Sequence, residues 1–502
     1  MPWWRLNFRA LVTVGNFDNL LAAMALEPCA RGASGPWQSF CLDGGVSTAG
    51  VARMKNLISL KAVSLAAALC VAQPPVALAD VVLSAPLDLV LSSLNVSGNL
   101  VADAGRDLST SGSNQATGHG VLTIGRDAAL GDVTVGNTLS VSTGRHLSIA
   151  GPIVSGGVTA LSVGDQLQVS GAVTTGTSLQ ATVGGNTTMA GAVITSGAGA
   201  SITTGGALAF SGLATAGQVF AATAGTSASF SGVSLWSGTS SVLTAGTDLS
   251  FSGAATAGNG WAASAGGNLL FNGGASAVQG INMEAVHNLQ LSGQLQSGAG
   301  AVLSAGTGLS LGPVTAQGHL SAIGGSTVDV TGPVTVTGHA DVQAGNRLTL
   351  GSAMTVGQNL SLTAPSAIEV ADTVQAQQLA VTTDRLEFAI DTPSSHGGFQ
   401  VTHAAAFGDL DAIVVSFAGG FSFVNGQVFD LIEAGALSGI SEALFSVENL
   451  DPLFGYTVAV GADAVRFSVF ERARQDVPEP GTLSLLALAL AVMGRRHARR
   501  RA

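Results

Sequence analysis

A repeat of 20 or 21 residues occupies the middle of the 502-residue chain and limits the folds that it can adopt. About fourteen units follow one another between residues 105 and 383. In each unit, two apolar positions lie two residues apart, so their side chains share one face of a strand. The first position holds Leu147, Leu167, Leu208, Leu249, Leu269, Leu289, Leu309 and Leu348, and the second holds Leu130, Ile149, Val169, Met189, Phe210, Phe230, Phe251, Phe271, Leu291, Leu311 and Leu350. A fixed period of this length is typical of solenoids, in which each unit stacks on its neighbours.

Glycine recurs directly after these apolar positions, as at Gly171, Gly191 and Gly212. Glycine suits a corner where a strand bends sharply. The repeat shows no helical periodicity, which argues against βαβ and leucine-rich arrangements. We therefore predict an all-β fold over residues 80–383, a right-handed parallel β-helix of about fourteen coils of about 20 residues. With about 4.8 Å between coils, the rod would be about 67 Å long, and the phenylalanines of the second position would stack inside it.

The composition changes after the repeat. In residues 384–475 acidic residues and phenylalanines are closer together in the sequence, and short β-like apolar runs replace the regular period. This segment is predicted to be a small β-rich cap. Such a cap would close the end of the β-helix, because an exposed last coil is an adhesive sheet edge.

The N-terminal part of the chain is predicted to be a targeting segment. Lys55 and Lys61 precede an apolar stretch over residues 62–72, and Ala77 and Ala79 follow it in an A-x-A pattern. A basic region, an apolar region and a small-residue cleavage site define a secretory signal peptide. We predict a Sec signal peptide at residues 54–79, cleavage by signal peptidase after Ala79 and a mature chain that begins at Asp80.

Residues 1–53 then have no evident role and are expected to be a non-functional extension from a start codon assigned too far upstream. A genuine N-terminal extension is the alternative. Cys70 leaves a lipoprotein as a second alternative, although Leu69 stands where a lipobox needs a small residue. All three cysteines precede Asp80, so the mature chain is expected to use neither disulfides nor thiolate chemistry.

The C-terminal segment, residues 476–502, has three parts in a fixed order. Prolines come first and interrupt any preceding structure, an apolar run over residues 483–493 follows, and an arginine cluster ends the chain. The first part contains Val477, Pro478, Glu479 and Pro480, and the last part contains Arg495, Arg496, Arg499, Arg500 and Arg501. The apolar run predicts a hydrophobic helix that is short for a membrane span. The arginines should stay on the cytoplasmic side of the membrane.

This arrangement resembles the PEP-CTERM sorting signal of Gram-negative bacteria. The resemblance implies that an exosortase, a membrane peptidase, recognises the Pro-Glu-Pro element and that the C-terminal helix enters the membrane only transiently. It also implies delivery to the cell surface and an association with exopolysaccharide. A plain C-terminal membrane anchor is the alternative.

The repeat itself resembles the repeats of filamentous haemagglutinin-type adhesins. The likeness is a G-x-x-L-x-hydrophobic-x-G pattern across residues 105–364. The chain departs from that family because no Asn-Pro-Asn-Gly secretion motif follows Asp80. The resemblance implies an adhesive β-helix, whereas the C-terminal signal implies a different export route.

Charged side chains offer little catalytic chemistry. The net charge of −11 argues against a nucleic-acid partner, since phosphate contacts need Lys and Arg. β-Helical polysaccharide lyases and hydrolases need carboxylates that cluster on one outer face. Between residues 151 and 369, the charged residues are only Asp165, Asp248, Glu284, Asp329, Asp341, Arg347 and Glu369. We expect no catalytic residues, no metal and no cofactor, although His319 and His339 should stack in adjacent coils at a spacing that two metal ligands could use.

These observations predict an exported structural or adhesin-like protein of the cell surface or extracellular matrix of a Gram-negative bacterium. Exosortase would be its sorting partner, and exopolysaccharide or further copies of the chain would be partners in a biofilm. The alternative is a β-helical polysaccharide-active enzyme, a lyase or a hydrolase. A third hypothesis is a self-assembling layer protein.

Overall fold

A computed structural model describes residues 80–472 and 480–498 of the protein. The chain forms an all-β parallel solenoid of about 15 turns, followed by one C-terminal helix. This confirms the predicted parallel β-helix, while its handedness stays a prediction. The extra turn lies at the N-terminal end, where coil 1 begins at Val81, before the first glycine of the repeat.

Each coil contributes strands to three faces, which we call A, B and C in chain order. In coils 1–5 every face has its own strand. These strands are β1 (Val81–Ala85), β2 (Leu89–Ser92), β3 (Asn95–Val96), β4 (Leu100–Ala104), β5 (Asp107–Ser111), β6 (Ser113–Ala116), β7 (Gly120–Ile124), β8 (Asp127–Leu130), β9 (Asp132–Val135), β10 (Leu139–Thr143), β11 (His146–Ile149), β12 (Ile153–Ser155), β13 (Thr159–Val163), β14 (Gln166–Val169) and β15 (Ala172–Thr175).

In coils 6–9 one long strand runs through faces B and C. The strands are β16 (Leu179–Val183), β17 (Thr187–Ser196), β18 (Ala200–Thr204), β19 (Leu208–Ala216), β20 (Phe220–Ala224), β21 (Ala228–Ser237), β22 (Ser241–Ala245) and β23 (Leu249–Ala257). The corner between the two faces is a bulge. The register between β19 and β21 shifts between Phe210 and Leu213. The predicted corner glycines Gly191 and Gly212 lie in these bulges with positive φ angles.

Coils 10–15 return to three separate strands. They are β24 (Trp261–Ala265), β25 (Leu269–Phe271), β26 (Gly274–Ala277), β27 (Gly280–Ala285), β28 (Leu289–Leu291), β29 (Leu295–Ser297), β30 (Gly300–Ala305), β31 (Gly308–Leu311), β32 (Val314–Ala316), β33 (Leu320–Gly324), β34 (Thr327–Val330), β35 (Val334–Val336), β36 (Ala340–Ala344), β37 (Arg347–Leu350), β38 (Met354–Val356), β39 (Asn359–Thr363), β40 (Ala367–Val370) and β41 (Thr373–Ala376). Through all 15 coils, each strand pairs in parallel with the strand of the same face in the next coil.

The chain then closes with β42 (Gln378–Thr382), β43 (Arg385–Thr392), β44 (Ser395–His396), β45 (Gly398–Gly408), β46 (Ala412–Phe417), β47 (Gln427–Ser438), β48 (Phe445–Glu448), β49 (Phe454–Val460) and β50 (Ala464–Glu471), with a short 3-10 helix at Glu442–Leu444. Parallel pairing continues across residues 383 and 384, from β40 to β43 and on to β46 and β48. At the end of the chain the pairing is antiparallel. There β50 lies between β47 and β49 and runs antiparallel to both. The division into a helix and a separate cap at residue 384 stays a prediction.

The core fills the inside of the coil. Every residue of the two apolar columns is buried, which confirms their predicted inward direction. In the second column, the ring centroid of Phe230 lies 6.0 Å from those of Phe210 and Phe251, and Phe251 stacks on Phe271 at 4.7 Å. Trp261 packs edge-on against Phe271 at 5.1 Å. Parallel register places the same side chain of each unit above its counterpart, so that one apolar column continues from coil to coil.

Candidate functional site

The predicted sorting segment is described only in its helical part. Helix α1 spans Pro480–Ala498 and begins at the last residue of the Pro-Glu-Pro element. The side chains of Leu485, Leu486, Leu488 and Leu490 are exposed, Leu485 at 67%, and so are Arg495 and Arg496. The remaining predicted positions lie outside the described residues; they are Ala77, Ala79, Val477, Pro478, Glu479, Arg499, Arg500 and Arg501.

Within residues 80–472 and 480–498, no helix has both the length and the apolar character needed to cross a membrane.

A second candidate site is a ladder of charged side chains at the N-terminal end of face B. Asp88, Asp107 and Asp127 occupy the same position in three successive coils, at or next to the first residue of β2, β5 and β8. Arg106 and Arg126 each precede an aspartate of this row. Because strands pair in parallel register, like residues stack along the axis of the rod. The aspartates and the arginines therefore form two adjacent columns along this edge.

Each arginine bridges two coils. Arg126 donates two hydrogen bonds to Asp107 of the preceding coil, with Nε–Oδ1 and Nη2–Oδ2 distances of 3.0 and 2.6 Å. It also lies 3.3 Å from the Asp127 carboxylate of its own coil. Arg106 pairs in the same two-pronged way with Asp88. A planar guanidinium matches a carboxylate in this geometry, and such paired bonds are among the strongest that side chains form.

Arg145 extends the ladder by one coil. Its Nε and Nη2 atoms donate to Asp127 at 3.1 and 2.6 Å. The hydrogen bonds from Arg106 and Arg145 lower the pKa of Asp88 and of Asp127 below the ordinary value for a carboxylate. The same bonds raise the pKa of the two arginines.

The ladder ends with a reversal of charge. His146 stands where the earlier coils have aspartate, and Asp165 stands where they have arginine. The Nδ1 atom of His146 lies 3.7 Å from an oxygen of Asp165. Beside the ladder, the outer side of face B forms a groove of about 440 Å³, with Ser109, Ser148 and Gln168 among the residues that line it. The row of paired charges therefore runs beside an open groove on the outer side of face B.

Sequence reasoning missed this ladder because it considered charged residues only between positions 151 and 369. The signal was present as a Gly-Arg-Asp sequence that recurs at Gly105 and Gly125, followed by Gly-Arg-His at Gly144. The period of this sequence equals that of the apolar columns. Because the two periods are equal, each arginine lies next to an aspartate of the neighbouring coil.

Face B carries charge at its other end as well. Glu369 and Glu387 are directly opposed in neighbouring coils. Arg347 pairs with Glu369, and this hydrogen bond raises the pKa of Arg347. Arg385 lies 3.5 Å from Glu387 and pairs with a third carboxylate. Glu369, Glu387, Arg347 and Arg385 therefore share one outer face.

Of the other side chains singled out in the sequence, the two aspartates are separated and the two histidines are neighbours. Asp329 lies on β34 of face B and Asp341 on β36 of face A. His319 and His339 do lie in adjacent coils, each one residue before a face A strand. Among the residues that the structure describes, no group of three or more His, Cys, Asp or Glu could hold a metal ion.

Comparison with known proteins identifies the C-terminal segment. The PEP-CTERM protein-sorting motif matches residues 476–501, which confirms the predicted sorting signal. The motif is recognised by exosortase, and it implies an exported protein that passes through a membrane-anchored precursor. The fold and the motif together define an exported, exosortase-sorted β-solenoid. No curated protein matches the chain.

Proposed function

We propose that the protein is a non-enzymatic rod of the cell surface or extracellular matrix of a Gram-negative bacterium, where it associates with exopolysaccharide in a biofilm. The observation that carries the proposal is the attachment of a PEP-CTERM sorting motif to the C-terminal end of about 15 stacked coils. The likeness of the coils to haemagglutinin-type repeats supports an adhesive role.

The architecture suits a structural element. Each coil is bound to both neighbours by backbone hydrogen bonds and by a shared core, so stability accumulates along the array. At about 4.8 Å per coil, 15 coils extend over about 72 Å. A rod of this kind offers three long faces to many weak contacts, and a polymer can engage several coils at once.

The sorting step is tested by substitutions in the motif. We expect Glu479→Ala and Pro480→Ala to leave an unprocessed, membrane-bound precursor in a host with an exosortase, because the peptidase no longer recognises its site. The measurement is cell fractionation with intact mass. Gln475→Ala, just outside the matched residues, is the control and should be processed normally. Equal masses and equal membrane retention for all variants would show that the segment is a plain anchor.

The matrix role is tested in cells with and without exopolysaccharide. We expect the processed protein to stay in the matrix fraction of polysaccharide-producing cells and to pass into the medium of cells that lack the polymer. The measurement is immunoblotting of matrix and medium after gentle washing. Equal distribution in both strains would contradict an association with the polymer.

The opposed Glu369 and Glu387 favour a second candidate function, a polysaccharide lyase or hydrolase. Two carboxylates near arginines could supply an acid and a base for glycosidic bond cleavage. The experiment is incubation of the purified chain with the host polysaccharide and measurement of new reducing ends or unsaturated products. Activity that disappears in both Glu369→Gln and Glu387→Gln would establish the enzyme and displace the structural proposal.

A further inference from the structure

The outward side of face C carries a straight row of side chains that Trp236 interrupts. Parallel register sets one residue of each coil directly above the next in this row. From coil 3 to coil 14 the row is Thr134, Val154, Thr174, Thr195, Thr215, Trp236, Thr256, Ser276, Gln296, Thr315, Thr335 and Thr355. Most members present a hydroxyl group, and successive members lie about 4.8 Å apart.

Trp236 is the exception in both size and exposure. Its side chain is 46% exposed, whereas Trp261 in the core is 2% exposed. The residues directly before and after it in the row are Thr215 and Thr256. Threonine therefore satisfies the fold at this position. The fold does not account for a large aromatic side chain that stays in water.

Two exposed aliphatic side chains lie on the same face as this tryptophan. Val193 and Leu213 occupy the second outward row of face C in the two preceding coils, and each is 39% exposed. Thr215 and Thr256 stand on either side of the indole along the row. We call these four residues, together with Trp236, the Trp236 patch. The patch combines one flat ring and two aliphatic groups with hydroxyl groups on both sides.

The lack of charged residues near the patch favours an uncharged partner. Residues 166–247 contain no Asp, Glu, Lys, Arg or His, so these coils have no charge with which to select an ionic ligand. A neutral ligand with alternating apolar and hydroxyl surface matches the patch instead. A sugar ring has this chemistry, since its C–H groups pack on an aromatic face while its hydroxyls reach polar side chains.

We propose that the Trp236 patch binds a neutral, extended, β-linked glycan that lies along face C. The tryptophan ring packs on one sugar ring, and threonine hydroxyls of adjacent coils bind its neighbours along the strand-spaced row. The inference rests on the proposed function, in which the rod associates with a matrix polysaccharide, and it deepens that function. It names the chemical class of the polymer and the place where the rod contacts it.

The experiment uses the purified, processed chain and cellohexaose as a neutral β-linked probe, with oligogalacturonate as an acidic comparison. We expect calorimetric binding of cellohexaose, with a Kd at least about tenfold weaker for Trp236→Thr, equivalent to about 1.4 kcal/mol. Oligogalacturonate should bind much more weakly than cellohexaose. Val242→Thr is the matched control because Val242 is 40% exposed on face A, and its Kd should equal that of the wild type. Trp236→Phe should restore part of the affinity, since it keeps an aromatic face.

Folding of Trp236→Thr is checked by its thermal midpoint, which should match the wild type because threonine occupies this row in both neighbouring coils. Equal cellohexaose affinity for wild type and Trp236→Thr, or no binding by the wild type, would overturn the proposal. A different result would also overturn it: a wild-type chain that forms a concentration-dependent dimer, and a Trp236→Thr variant that loses the dimer but binds glycan equally well. The patch would then bind a second copy of the chain. Matrix retention in cells is scored separately, and its absence in the wild type counts against the proposed function itself.

Discussion

The phenylalanine column allows a sharp test of how the rod is held together. Phe230 is 1% exposed, and its ring lies 6.0 Å from the rings of Phe210 and Phe251 in the adjacent coils. Phe230→Ala removes the ring while the coils on both sides stay in place. Their separation is set by the hydrogen bonds between parallel strands, so the neighbouring rings cannot close the gap.

The expected loss follows from that rigidity. Replacement of a buried phenylalanine by alanine lowers the free energy of unfolding by about 3–5 kcal/mol, and the loss is largest where a cavity cannot collapse. We therefore expect a value near 5 kcal/mol for Phe230→Ala. In an array of stacked units the effect is local, so coils 7–9 should lose most of their stability.

The measurement is chemical denaturation of the processed chain, followed by tryptophan fluorescence. Trp261 reports on this part of the core because it lies 6.2 Å from Phe251. Ser229→Ala is the matched control, since Ser229 is the exposed neighbour of Phe230 on the same strand. Its effect should stay within about 0.5 kcal/mol. An unchanged midpoint for Phe230→Ala would show that the ring column does not support the coil.

Two further predictions concern the corners and the charged ladder. At Gly253, which has φ +127°, a Cβ atom would lie 2.0 Å from the carbonyl oxygen of Val233, whereas at Gly232, φ +62°, it would meet open space. Gly232→Ala should therefore lower the free energy of unfolding by about 1–2 kcal/mol, and Gly253→Ala should lower it by clearly more. Chemical denaturation measures both losses, and equal losses would contradict this account of the bulge. Because folding lowers the pKa of Asp127, its contribution to stability is complete above about pH 4 and is lost as the pH falls through the lower folded-state pKa. By calorimetry at pH 7 and pH 3, Asp127→Asn should lose less thermal stability on acidification than the wild type, and an equal loss would mean that the ladder does not contribute.

Much of the solenoid was predictable because its contacts repeat at the same period as the sequence. Leu208 and Leu249 occupy equivalent places in their units, and parallel register turns that equivalence into direct stacking inside the coil. The same logic makes the outward direction of Trp236 evident, because it alternates with the inward Val233, Leu235 and Ser237. Period and alternation together specify the faces of a strand.

Other features depend on contacts that no period encodes. The closing strand β50 alternates buried and exposed residues over most of its length, as the coils do, and alternation does not distinguish parallel from antiparallel pairing. For the same reason, alternation does not predict that parallel pairing continues through β43 and β46. The Arg126–Asp107 bridge required the register between coils as well as the residue types, since the two residues lie 19 positions apart.

The order of the coils along the rod fixes how far the charged ladder and Trp236 lie from the C-terminal sorting motif. Because each coil follows the previous one along the rod, the sorting motif is joined to the end that β47, β49 and β50 close. In the membrane-anchored precursor, a rod held by that end presents its N-terminal coils farthest from the anchor. The Asp88–Arg145 ladder then lies at the distal end, and Trp236, in coil 8, lies about seven coils or roughly 34 Å from coil 15. A polymer that met the precursor at the Trp236 patch would thus contact it away from the membrane, before the sorting step releases the rod.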